Sequence, residues 1–203
     1  MKWALFLSIL CVSLVMPAYV VAEEGQNDQN IILSVGLGKF SPRGDIQDFE
    51  QSSQFTISGL MLFGKYYGAG VDLGYHSTKL TGALAGFSTE NNLETKSVEG
   101  LFYIQPNESN VQPYAAIGIG GYNNQMTFKW NGATLFDDSG TSFGWVLKVG
   151  LRVFVGDHLM LGVFAKYFST RQDIKYATCC GSCYTTTSDI GGIIGSLDIG
   201  ARF

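Results

Sequence analysis

The sequence is short of charge, proline and histidine. Only 15% of its 203 residues are charged, four are Pro and two are His. Sparse charge beside 46% hydrophobic residues excludes a disordered chain. Seventeen acidic residues against 13 basic ones, with a net charge of −4, argue against a nucleic-acid binder, which needs a basic face. The few prolines and scattered glycines exclude collagen-like and Pro-rich fibres. After the first 22 residues no stretch offers the ~18 apolar residues of a spanning helix. Yet the mean hydropathy is +0.14, aromatics reach 13%, and there are 26 glycines. Two classes remain, a soluble β-protein and a transmembrane β-barrel.

The N-terminus sets the compartment. Lys2 precedes an apolar run from Ala4 to Met16. Pro17 breaks the run, and Val20-Val21-Ala22 ends in short side chains before Glu23-Glu24. This is the pattern of a cleaved secretory signal peptide over residues 1–22, too short for an anchor. Cys11 lies inside the apolar run after Ser8-Ile9-Leu10, with no small residue beside it, and reads as filler rather than a lipid-attachment site. Loss of Lys2 leaves 12 basic against 17 acidic residues in 23–203, a formal charge of −5.

Glu23 to Asn30 is polar and aperiodic. Beyond it the period is two. Strands are expected over Ile31–Phe40, Phe55–Phe63, Gly70–Ser77, Leu93–Ile104, Pro113–Tyr122, Thr141–Phe154, Leu159–Phe168 and a last run ending at Phe203. Thr141–Phe154 is the clearest, with Phe143, Trp145, Leu147, Val149, Leu151 and Val153 set against Ser142, Gly144, Lys148, Gly150 and Arg152. The faces of Pro113–Tyr122 are ambiguous, since both are rich in Gly and Ala. Such strands match the ~9–11 residues that cross a bilayer at a tilt.

Two features separate a membrane barrel from a sandwich. Connections alternate, being short at 64–69, 105–112 and 155–158, and long at 41–54, 78–92, 123–140 and 169–192. Short turns at one end and long loops at the other suit an outer-membrane barrel, whereas a Greek-key sandwich has no reason to alternate. In addition Asp72, Glu99, Lys148, Arg152, Lys166, Asp198 and Arg202 fall on the less apolar face, with His76. Lipid offers no hydrogen bonds, so the sheet must close on itself. A Lys or Arg facing hydrocarbon at mid-depth costs about 2–4 kcal/mol, so charges turn inward. Gly36, Gly38, Gly74, Gly118, Gly144, Gly150 and Gly200 leave room there for large neighbours. Tyr66, Tyr67, Tyr75, Tyr103, Tyr114, Trp145, Tyr167 and Phe203 sit near strand ends, where amphipathic rings favour headgroups.

The last strand, Leu197-x-Ile199-x-Ala201-x-Phe203, resembles the terminal strand of bacterial outer-membrane proteins. Pro113-Tyr114-Ala115-Ala116-Ile117-Gly118-Ile119-Gly120 resembles a strand of the small OmpA-like and OmpX-like barrels, and Gly70–Tyr75 resembles their third strand. The resemblance covers essentially all of 23–203. It implies an eight-stranded antiparallel up-and-down barrel, all-β, in the outer membrane of a Gram-negative-type bacterium, without a peptidoglycan-binding domain. It also implies that Phe203 is the signal read by the barrel-assembly machinery, and that the surroundings are outer-membrane lipid and lipopolysaccharide.

Candidate chemistry is sparse. Cys179, Cys180 and Cys183 form a Cys-Cys-Gly-Ser-Cys segment in an oxidising compartment. Cys180–Cys183 is the first choice of disulfide and Cys179–Cys183 the alternative, while a Cys179–Cys180 bond would be strained. The leftover thiol could join another chain, and a metal site lacks a fourth ligand. Outer-membrane lipid A deacylases use a His-x-Ser pair, but His76-Ser77-Thr78 puts Ser77 on the opposite face from His76. A palmitoyl-transferase would carry an N-terminal amphipathic helix, which 23–30 is not. No enzyme, cofactor, metal or nucleic acid is expected. Eight strands leave a bore that side chains can fill, so the inward charges read as a paired plug, with Arg152 or Arg202 against Asp198 or Glu99. The leading expectation is a non-enzymatic protein that supports the envelope and meets a host or extracellular ligand through its loops. A narrow pore and, less favoured, a lipid-modifying enzyme are the alternatives.

Overall fold

A computed structural model describes residues 31–63, 66–84, 87–106, 109–177 and 183–203. Eight strands follow in chain order: β1 (Ile31–Gly44), β2 (Ser52–Phe63), β3 (Tyr67–Leu84), β4 (Phe87–Ile104), β5 (Val111–Trp130), β6 (Ala133–Val155), β7 (Leu159–Ala177) and β8 (Cys183–Arg202). Each pairs antiparallel with the next, and β1 pairs with β8 to close the barrel. At that seam Ile31 and Phe203 exchange two backbone hydrogen bonds, of 3.1 and 2.8 Å. Every expected strand lies within an observed one except at Phe203, one residue past the end of β8.

The period-two pattern sorts the side chains. Outward positions on β1 and β2 are Leu33, Val35, Leu37, Phe55 and Ile57, all exposed, as are Ile117 and Ile119 on β5. The even-numbered residues of β5, including Gln112, Tyr114 and Tyr122, face inward, which resolves the ambiguous strand. Outward apolar residues run from Tyr67 to Tyr75 on β3 and from Phe143 to Val155 on β6, before Ser77 and Thr141. At ~3.3 Å per residue and a tilt near 40°, these runs span about 20–30 Å, bracketing the ~25 Å apolar band of outer-membrane barrels. Tyr103 and Tyr114 are exceptions to the expected girdle. Their parity places them inside, where both are buried.

The expected long connections at three hairpins are mostly strand. β3 and β4 stay paired to Leu84↔Phe87, and β7 and β8 to Ala177↔Cys183. β5 and β6 turn at Asn131–Gly132, both with positive φ (49° and 80°), the geometry of a two-residue hairpin turn. Apolar alternation stops where lipid stops, but backbone pairing needs no apolar face and continues through Ser, Thr, Asn and Gln. These hairpins rise ~20 Å above the apolar band. β1 and β2 rise little, and their connection (45–51, loop 1) remains a loop.

Candidate functional site

The bore is filled in layers, named here from the rim that holds the chain ends. In the first, Arg152 of β6 lies between aromatic faces, its guanidinium carbon 3.9 Å from the Tyr114 ring centre and 5.1 Å from that of Tyr103. Its Nη1 donates to Gln105 Oε1 at 2.5 Å, and Gln105 Nε2 donates to Gln112 Oε1 at 3.2 Å. Arg202 lies 3.8 Å above the Phe154 ring. Tyr114 has room because its inward neighbour is Gly150, where a Cβ would fall 2.7 Å from the phenol oxygen.

The second layer carries charge. Lys148 of β6 donates across the bore to Asp72 Oδ2 of β3 at 2.7 Å, and Lys166 of β7 donates to Glu99 Oε2 of β4 at 2.8 Å. All four side chains are at most 1% exposed. Lys148 Nζ also lies 4.2 Å from the Phe164 ring centre. Asp198 of β8 accepts from Ser196 Oγ at 3.4 Å and packs where a Cβ on Gly36 would collide with its carboxylate. Lys166 therefore takes Glu99, one of the two carboxylates expected to face an arginine, while Lys148 takes Asp72 and Asp198, the other, is bonded to Ser196. The reason is height: Arg152 lies four residues nearer the terminal rim than Lys148, level with the tyrosines.

The third layer is aromatic. His76 of β3 meets Phe40 of β1 at 4.0 Å between ring centres and Phe168 of β7 at 5.8 Å. Phe168 stacks on Tyr122 of β5 at 5.1 Å. β3 and β7 lie on opposite sides of an eight-stranded barrel, so these contacts cross its full width. Ser77 is not part of this layer; its hydroxyl donates to Asn92 Oδ1 at 3.1 Å.

A polar belt follows. Asn124 accepts from Thr95 Oγ1 at 2.8 Å and donates to Gln172 Oε1 at 2.7 Å, and Thr170 donates to Ser142 Oγ at 2.8 Å. Loop 1 then leans over the mouth. Ile46 is buried and Phe49 packs against the core. Asp45 N donates to Asp189 O of β8 at 3.1 Å, Glu50 N to Lys79 O of β3 at 2.7 Å, and Thr78 Oγ1 to the Glu50 carbonyl. Outside, the hairpins carry Lys79 and Lys129 at 3.8 and 3.6 Å from Glu90, and Arg171 at 2.9 Å from Asp189.

The bore thus brings together Asp72, Glu99, Lys148, Arg152, Lys166 and Asp198, all buried, with Arg202 half-buried at the terminal rim. It also holds residues that sequence reading did not assign to it, chiefly Phe40, Tyr103, Tyr114, Tyr122 and Phe168. Inward parity was the available signal, but an apolar inward residue contradicts the expectation of a polar lumen. Phe203 is exposed at the rim. Cys179 and Cys180 lie outside the described residues, and Cys183 opens β8 opposite Ala177. Among the described residues no group of three His, Cys, Asp or Glu side chains could hold a metal ion.

Solved structures share this architecture. They include Ail, the attachment invasion locus protein of Yersinia pestis, in complex with the heparin analogue sucrose octasulfate. It is 14% identical, with 86% of this chain and 98% of that one covered and a TM-score of 0.56. Neisserial surface protein A is 14% identical over 87% and 98% of the two chains, with a TM-score of 0.56. OprG from Pseudomonas aeruginosa is 13% identical over 86% and 95%, with a TM-score of 0.59. No curated protein matches in sequence. The family model described as "Outer membrane protein beta-barrel domain" matches residues 4–180. The chain belongs to that family, as a protein of the Gram-negative outer membrane.

Proposed function

We propose that this protein is a closed, non-enzymatic surface scaffold, which supports the envelope and contacts other surfaces through its tall hairpins and loop 1. One observation carries the reading: rings from four strands and two ion pairs occupy the bore that a pore would need, while the polar, solvent-facing surface is concentrated on the hairpins. In this reading residues 1–22 are a signal peptide removed after Ala22, and 23–203 are the mature barrel. Both chain ends face the periplasm, the hairpins face outward through lipopolysaccharide, and Phe203 is read by the barrel-assembly machinery.

Two measurements test it. The refolded chain in a planar bilayer at neutral pH is expected to be electrically silent. Bacteria displaying it are expected to lose adhesion to epithelial monolayers when the β5–β6 hairpin is cut back to a turn at Asn123. Discrete conductance steps at neutral pH would move the reading to a narrow pore, and unchanged adhesion would remove that hairpin from the contact surface.

A further inference from the structure

We propose that the ring layer centred on His76 is an acid-operated gate: a proton on this imidazole displaces the ring and opens the bore to small ions. The proposal rests on the closed-bore reading above and adds a condition under which the bore opens.

The geometry carries the argument. His76 is the one member of the cross-bore stack that can acquire a positive charge, the others being Phe40, Phe168 and Tyr122. Its side chain is 4% exposed, and its Nε2 has no hydrogen-bond partner among the described residues. The neutral ring is held there by stacking and packing. An added proton needs an acceptor and an opposite charge, and an uncompensated charge inside a ring layer is strongly unfavourable.

The surroundings supply neither. Asp72 on the same strand is bound by Lys148 of β6, and Glu99 of β4 is bound by Lys166 of β7. Lys166 lies close enough to repel a positive ring. Tyr122 of β5 offers a phenol beside Glu99 rather than a second charge. Asp198 of β8 lies below, among Lys148, Arg152 and Asp72. Glu50 of loop 1 lies above, where its carboxylate accepts from Thr81. At the level of the ring, β2 presents Gln54 and β8 presents Ile190 and Ile194, none of them charged. The favourable exit for a charged His76 is toward the hairpin rim, past the Thr95–Asn124 belt. That movement takes away the ring packed against both Phe40 and Phe168, which keep only their mutual contact at 5.7 Å, and opens a path beside them to the charged layer.

The test is single-channel recording of the full chain, titrated from about pH 7.5 to about pH 4, with folding followed by heat-modifiable gel migration. Wild type is expected to be silent at neutral pH. Its open probability should rise about tenfold per pH unit until it saturates, the slope of a single titrating site. His76→Phe keeps a stacked ring and should stay silent throughout, with His76→Leu replacing it if that variant does not fold. His76→Arg carries a permanent charge and should conduct at neutral pH. A folded wild type that is silent at every pH overturns the gate and leaves the closed-bore reading standing. Equal acid opening in wild type and His76→Phe overturns the assignment to His76. Conductance of wild type at neutral pH overturns the closed-bore reading and the gate with it.

Discussion

Replacing Asp72 by Ala removes the carboxylate that faces Lys148 at 2.7 Å with both side chains buried. The ammonium is then left against the Phe164 ring, 4.2 Å from its centre, and the Tyr103 ring, 6.0 Å away. Both contacts are already made with the ion pair intact, so they do not offset its loss. Removing one partner of a buried pair costs about 3–5 kcal/mol, and Asp198 is a nearby carboxylate that can share the orphaned charge, so the expected loss is about 3 kcal/mol, the lower end of that range. The double variant Asp72→Leu with Lys148→Met removes both charges and keeps apolar bulk. It should lie within about 1 kcal/mol of wild type or be more stable. Equilibrium urea unfolding in phospholipid vesicles, read by tryptophan fluorescence, measures all the variants of the cycle. A loss below about 0.5 kcal/mol for Asp72→Ala, or a double variant worse than either single one, would refute the view that this pair closes the bore by mutual neutralisation.

Leu197 is 70% exposed on the outward face, so Leu197→Arg should cost about 2–4 kcal/mol in the same vesicle assay, and Leu197→Phe little. Gly132 has φ of 80°, and Gly132→Val should destabilise the β5–β6 hairpin by about 1–2 kcal/mol, seen as faster amide exchange confined to the ends of β5 and β6. Gly150→Leu forces bulk onto the Tyr114 phenol and should lower stability by about 1–3 kcal/mol without changing strand content by circular dichroism. If Cys180 and Cys183 are bridged, alkylation under non-reducing conditions should label the mature chain at one cysteine, and labelling at three would refute the pairing.

The barrel was legible because lipid imposes a binary pattern. Leu33, Val35 and Leu37 against Ser34, Gly36 and Gly38 leave one choice of face, and the eight runs give the strand count. The hairpin extensions were not legible from that pattern. The backbones of Thr78–Leu84 and Asn123–Trp130 extend beyond the apolar band, so no lipid-imposed alternation marks them, although Asn131-Gly132 is a strong local turn signal. The inward charges were legible as a set but not as pairs. Sequence gives parity, whereas pairing depends on height along tilted strands and on side-chain reach, which placed Lys148 rather than an arginine opposite a carboxylate. The aromatic plug was hidden for a similar reason. Phe40, Tyr122 and Phe168 each look like lipid-facing residues until parity and register put them in one plane.

The seam between β1 and β8 has a consequence for how the molecule comes into being. The β7–β8 hairpin begins from Ala177↔Cys183, neighbours along the chain, whereas the innermost β1–β8 pair joins Gly44 to Ile190. The logarithmic dependence on loop length makes that closure about 3 kcal/mol harder than forming a hairpin. It is offset only when the whole ladder forms, and until then two long strand edges stand open in a medium that cannot hydrate them. A ribosome or a translocon delivers β1 first and β8 last, so no partial product is a smaller barrel. Each is an open sheet with adhesive edges. Production of this protein is therefore all-or-none at the final strand, and a mutation at the seam should reduce the number of molecules that reach the membrane more than it weakens those already there.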